Sequence, residues 1–184
     1  MRSTSNTTTH DAAKFRAMLV GADRYRCAMT HPLDEYRTAS GTFVPVWTLE
    51  IQTLPADVDR ILDAVVAVHP LAYGRYERNA SVSAVGKETA RPAAGSTTDT
   101  HVADFEPGGT ETYPMVELKI SVDRDPELLA AVMDAIHRVH HYEEPVVFLR
   151  EDWTSRSAYD PDRDNPHRWW NDGRGLPERV ELVE

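Results

Sequence analysis

The stretch Val116-Glu117-Leu118-Lys119-Ile120-Ser121-Val122 alternates apolar and polar residues, and the stretch after it changes period. Alternation over seven residues places Val116, Leu118, Ile120 and Val122 on one face of a strand. Pro126 then suits a first helical turn, and Leu128, Leu129, Val132, Met133, Ile136 and Val139 recur at helical spacing. The same unit occurs earlier. Trp47, Leu49 and Ile51 alternate with Thr48, Glu50 and Gln52, Pro55 opens a helix, and Val58, Ile61, Leu62 and Val65 form its apolar stripe until His69-Pro70 stops it. A shorter strand over residues 80–85 and a last one over 146–149 complete the order strand, helix, strand, strand, helix, strand. That order predicts an α+β fold, the split βαβ sandwich of ferredoxin-like type, with both helices on one face of an antiparallel sheet. The other sheet face is expected to be open, to expose apolar side chains of the Trp47, Leu49, Ile51 and Val116, Leu118, Ile120 kind, and so to favour a homo-oligomer.

Around this core the chain of 184 residues divides into residues 1–10, a polar and disordered start; 11–45, a helical and irregular extension; 46–153, the folded domain; and 154–184, a C-terminal extension. In the first extension Asp11 could cap a helix with Phe15, Met18 and Leu19 on one side. In the last, Tyr159 and the pair Trp169-Trp170 carry too much aromatic area to float free, and Val180, Leu182 and Val183 could add an edge strand. Structural packing is the expected role of these aromatics. The net charge of −10 and the absence of a basic cluster exclude a nucleic-acid footprint and an anionic-membrane surface. One cysteine, Cys27, and no long apolar run point to a cytoplasmic protein. Cys27 and His31 stand four apart, as a thiolate and imidazole pair would on a helix, but a buried structural cysteine is the expected account.

The densest chemistry is His140-His141-Tyr142-Glu143-Glu144-Pro145, at the corner between the second helix and the last strand. In a split βαβ sandwich that corner lies at the same end as the long connection over residues 86–113, so Arg91 and His101 should approach it, whereas His69 should lie at the opposite end. Neutral imidazoles and carboxylates suit a divalent metal, with His101, His140, His141 and Glu143 as candidate ligands, whose affinity would fall below about pH 6.5. Arg91, Thr89 and Glu144 suit a small polar or anionic ligand. If the protein is a small stand-alone enzyme working on a polar metabolite, His140, Tyr142 and Glu143 are the acid–base candidates. A structural corner is the competing reading, with a carboxylate capping backbone amides and a satisfied His140. His137 reads as a surface residue, and Asp134 with Arg138 as a solvated pair.

The segment His140-His141-Tyr142-Glu143-Glu144-Pro145 resembles the His-Pro-Tyr-Glu-Glu-Pro signature of the PII-like domain inserted in the dimetal proteins known as GTP cyclohydrolase I type-two homologues. A shorter form of it is similar to the corner of the CutA divalent-cation tolerance proteins. Gly86-Lys87-Glu88-Thr89-Ala90-Arg91-Pro92 is similar to the Gly-Thr-Phe-Arg-Pro turn of the same inserted domain. His141 stands where the signature has proline, and Ala90 where the turn has an aromatic residue. The resemblance implies a free-standing PII-like or CutA-like domain, a trimer, and a ligand-reading loop after residue 86. It does not imply GTP hydrolysis, because the halves carrying the dimetal ligands are missing and Thr30-His31-Pro32 only faintly echoes one of their motifs.

Overall fold

The structure, a computed structural model, describes residues 31–102 and 108–158, together with residues 168, 170–171, 173, 175–176 and 178. The elements are β1 (Gly41–Thr53), α1 (Val58–Val66, entered through a single 3-10 turn, Pro55–Asp57), β2 (Ser81–Val82), β3 (Gly86–Ala90), the short helix α2 (Thr97–His101), β4 (Glu111–Asp123), α3 (Pro126–Val139) and β5 (Val147–Ser157). The sheet order is β2-β4-β1-β5, with β3 also on β4 and every pairing antiparallel. This is the ferredoxin-like split βαβ sandwich that the two repeated units predict.

Each predicted stripe forms for a local reason. Asp125 is extended and its carboxylate accepts from the Glu127 and Leu128 amides at 2.9 and 3.3 Å, so α3 starts with two of its orphan donors satisfied. Its last turn ends where His140 becomes extended. Val58, Ile61, Leu62 and Val65 of α1, with Val132 and Ile136 of α3, pack on Leu49 and Ile51 of β1 and on Val116, Leu118, Ile120 and Val122 of β4. Full burial of each such side chain contributes about 1.5–3 kcal/mol against chain entropy.

The expectation of an apolar open face is overturned. The alternating set lies under the helices, with Leu49, Ile51 and Leu118 fully buried. Since a strand's side chains alternate, the opposite face receives the other set: Glu50, Gln52, Glu117, Lys119, Arg150 and Asp152, with Glu50 and Arg150 ion-paired across it. Large apolar side chains left half exposed by the sheet sit instead on its edge strand, at Phe148 and Leu149 of β5.

Three segments are more regular than sequence predicts. Where one loop is expected over residues 86–113, β3 pairs with the first part of β4, from Gly86 opposite Met115 to Ala90 opposite Glu111. The loop proper is therefore residues 91–110, carried on a two-stranded ribbon. β1 begins at Gly41 and β5 runs to Ser157, because these polar stretches pair with each other, Gly41 opposite Ser157. A side chain at Gly41 would meet the Arg156 carbonyl oxygen at 2.8 Å, which explains the glycine. The start helix expected after Asp11, Cys27, Tyr159, Trp169 and the closing Val180, Leu182 and Val183 lie outside the described residues. No helix among the described residues is long and apolar enough to cross a membrane.

Candidate functional site at the loop end of the sheet

The corner at residues 140–144 closes on β1 through His140. Its Nε2 lies 3.0 Å from the Gln52 carbonyl oxygen, and its Nδ1 accepts the Tyr142 amide at 3.0 Å. These two partners fix one tautomer: the proton is on Nε2, donated to Gln52, and the Nδ1 lone pair is used by the backbone. Burial holds the His140 imidazole below its ordinary range, and the Gln52 carbonyl and the Asp57 charge only partly oppose this. His69 and His31 use the same local device, with Nδ1 accepting from Leu71 at 3.1 Å and from Leu33 at 3.2 Å. His69 belongs to the far end of the subunit: the nearby Tyr73 donates to the Ser155 carbonyl at 2.6 Å, and Ser155 pairs with Phe43. From Phe43 to Gln52, β1 spans about 30 Å.

Glu143 reaches the loop. Its Oε2 accepts the Thr97 amide at 3.2 Å, the first of α2, and the Nδ1 of His101 lies 3.0 Å from the Thr97 carbonyl one turn on. Glu143 and His101 are thus brought to the same short helix, while His140 faces the other way, into β1. His141 and Glu144 are exposed on the corner, with the His141 ring 6.4 Å from Tyr142. Thr89 is exposed on the ribbon opposite Thr112. Among the described residues no three His, Cys, Asp or Glu side chains are grouped as a metal would need, so the expected set of His101, His140, His141 and Glu143 is not assembled. The physical reason is the tautomer of His140, which leaves it no lone pair for a metal.

Arg91 lies at the start of the loop, exposed, and lines an open cavity of about 360 Å³ with Pro92, Ala93, Ala94 and Gly108. It makes no ion pair among the described residues; the guanidinium groups of Arg60, Arg78, Arg124 and Arg150 all do.

Sequence reasoning missed the residues beneath the corner. Arg60 donates its Nε to the Val139 carbonyl at 2.9 Å, closing the C-terminus of α3, and pairs with Asp57 at 2.9 Å. The Asp57 and Arg60 spacing in a first turn was the available signal. The Tyr142 hydroxyl is buried beside the Glu88 carboxylate. Burial first, then Glu88 and the charge of Asp57, raise the phenol above its ordinary range, so Tyr142 stays protonated.

No family model and no curated protein matches the chain. Solved structures do. A Bacillus cereus protein related to NIF3 matches with 16% identity and a TM-score of 0.45, over 63% of this chain and 27% of that one. CutA1 from Oryza sativa matches with 15% identity and a TM-score of 0.40, over 59% and 81%. CPII, a nitrogen regulatory PII-like protein from Thiomonas intermedia K12 bound to ADP, AMP and bicarbonate, matches with 13% identity and a TM-score of 0.39, over 61% and 96%. The chain is similar in structure to PII and CutA proteins. The matched stretch is well under two thirds of the Bacillus cereus protein's length, and the likeness concerns fold alone.

Proposed function

We propose that this PII/CutA-like domain is a ligand-reading module that holds a small polar anion at Arg91, beside the corner, and reports it through the loop of residues 91–110. The observation that carries this reading is Arg91 itself: a guanidinium without an ion-pair partner among the described residues, on the wall of a cavity at the base of the loop. A planar fork of donors is suited to carboxylate, bicarbonate or phosphate oxygens. Thr89, two residues earlier on β3, adds a hydroxyl on the same ribbon. The loop is held to the domain by the Glu143 contact to Thr97, so an occupant at Arg91 can shift α2 against a fixed corner. With a net charge of −10 the long-range field slows anion encounter, and affinity rests on local contacts.

The same geometry counts against acid–base catalysis by His140 and Tyr142, since a general base needs a lone pair facing its substrate and the raised Tyr142 phenol yields no phenolate near neutrality. A transition-metal role for the imidazoles is disfavoured for the same reason. The test is calorimetric titration of the full chain with bicarbonate, orthophosphate and ADP. Saturable binding of at least one, weakened about tenfold or more by Arg91→Ala, is expected, a loss of about 1.4 kcal/mol or more. Binding of none of the three, or binding indifferent to Arg91→Ala, rejects the anion site.

The proposal includes self-association, with a trimer expected. Its support is β5, which pairs only with β1 among the described residues and carries Phe148 and Leu149 about half exposed. Sedimentation should give an assembly that Phe148→Asp weakens. A concentration-independent monomer for the unaltered chain would remove this part.

A further inference from the structure

A second open cavity, of about 290 Å³, lies at the end of the subunit away from Arg91, where the turn of residues 38–41 meets the start of β1 and the end of β5. Its wall includes Tyr36, Thr38, Gly41, Phe43, Ser155 and Ser157. Register places these six on one face. Arg37 bridges Thr42, so Tyr36 stands opposite Phe43, and their rings are 5.4 Å apart and tilted by 52°. Across β1, Ser155 lies opposite Phe43 and Ser157 opposite Gly41. Thr38 adjoins Gly41 from the other side, its amide donating to the Gly41 carbonyl at 2.8 Å. One row thus carries two aromatic rings and a serine, and the next carries two hydroxyls on either side of a glycine that has no side chain to fill the space.

The hydrogen bonds of this wall identify the kind of ligand. Thr38 Oγ1 is committed to the turn, where it accepts the Ser40 and Gly41 amides at 3.3 and 3.0 Å, and so it holds the wall in shape. The Tyr36 and Ser157 hydroxyls make no hydrogen bond among the described residues. A hydroxyl both donates and accepts, which matches a ligand that itself carries hydroxyls. Charge plays no part. Arg156 is the one charged residue of the described wall, and its guanidinium is held along β5, 4.2 Å from the centre of the Tyr73 ring. Its Nη1 donates there to Thr154 Oγ1 at 3.3 Å and to the Ser155 carbonyl at 3.2 Å. The volume stands at the small end of ligand pockets, enough for one small ring, and the electron-rich faces of Tyr36 and Phe43 suit that ring's C–H groups. We propose that this cavity binds a small neutral polyhydroxylated molecule, a monosaccharide or a cyclic polyol, stacked on Tyr36 and hydrogen-bonded by Ser157. The site is separate from the anion site at Arg91 and stands whether or not that one does.

The experiment is saturation-transfer NMR of the full chain with glucose, ribose and myo-inositol in turn, and with glucose 6-phosphate for comparison. At least one neutral probe should titrate to a plateau in the millimolar range. Tyr36→Ala should weaken that binding about tenfold and Ser157→Ala about fivefold, while Arg91→Ala leaves it unchanged. Tyr36 is 47% exposed, so its truncation spares the core. Should it unfold the chain nonetheless, Ser157→Trp, which fills the cavity from an exposed strand end, should block the probe. Absence of a plateau with every neutral probe overturns the proposal, as does binding that survives in folded Tyr36→Ala and Ser157→Trp, or that is lost in Arg91→Ala. Tighter binding of glucose 6-phosphate than of glucose by the Arg91→Ala chain would make the cavity an anion site and overturn it equally.

Discussion

Replacing His140 by alanine should destabilise the protein by about 2–3 kcal/mol, because it strips a partner from both the Gln52 carbonyl and the Tyr142 amide in a half-buried corner. Denaturant unfolding measures this directly. The loss carries a pH signature. Burial depresses the folded-state pKa of His140, so between that value and the unfolded value near 6.5 the unfolded chain binds more protons than the native one. Stability from this residue is complete above about pH 6.5 and is lost as the pH falls through the depressed value. The His140→Ala protein should lack this part of the acid slope. An unchanged slope, with unchanged stability at neutral pH, would mean that the His140 contacts do not form in solution.

Trp153→Ala should cost about as much, for a different reason. The indole stacks on His31 with ring centroids 3.8 Å apart, receives the Arg124 guanidinium at 4.4 Å, and donates its Nε1 proton to Asp34 at 2.8 Å. That last contact, together with the His31 amide, holds the Asp34 carboxyl below its ordinary range despite some desolvation. Arg124 also donates to the Val46 and Asp152 carbonyls, at 3.1 and 3.0 Å, so the indole is the centre of a network joining residues 31–36 to β1 and β5. Loss of about 2–3 kcal/mol is expected, with residues 31–36 losing amide protection. Trp153→Phe keeps the stacking and drops only the Asp34 hydrogen bond, and should cost about 1 kcal/mol. Equal losses in the two variants would show that the hydrogen bond alone carries the contact.

The core was legible because it obeys two periods. Alternation in Val116, Leu118, Ile120 and Val122, and the 3.6-residue stripes after Pro55 and Pro126, each have one geometric solution, and the repeat of the unit left little choice of topology. The polar ribbon was not legible. Lys87, Thr89, Glu111 and Thr112 are all exposed, so no alternation marks the pairing of β3 with β4. The far end of β5 escaped for a similar reason, its polar residues being paired with Gly41 and Thr42 rather than packed. Reading Leu49 and Leu118 as an exposed face failed through neglect of the helices: with one apolar set per strand, the face that meets α1 and α3 must take it.

The corner shows the same division. Its position, and its nearness to the loop, followed from connectivity. Its chemistry did not, since the partner of His140 is a backbone carbonyl that leaves no trace in residue type, and the partner of Glu143 is the amide of Thr97. A dense run of His, Tyr and Glu looks alike in sequence whether its lone pairs face a ligand or its own main chain. Thr53 and Asp57 were unremarkable as letters, and only their burial singles them out, with Thr53 Oγ1 and the Asp57 oxygen not held by Arg60 lacking a hydrogen-bond partner among the described residues.

The central claim is a division of labour, in which the corner holds the fold and Arg91 holds the ligand. The most direct measurement crosses two variants with two readouts, unfolding free energy and calorimetric affinity for whichever of bicarbonate, orthophosphate or ADP binds the unaltered chain. His140→Ala should lose stability while the fraction still folded binds with nearly unchanged affinity, and Arg91→Ala should keep stability while losing affinity about tenfold or more. Lost affinity in folded His140→Ala together with full affinity in Arg91→Ala would contradict the account and return the imidazole to the binding site.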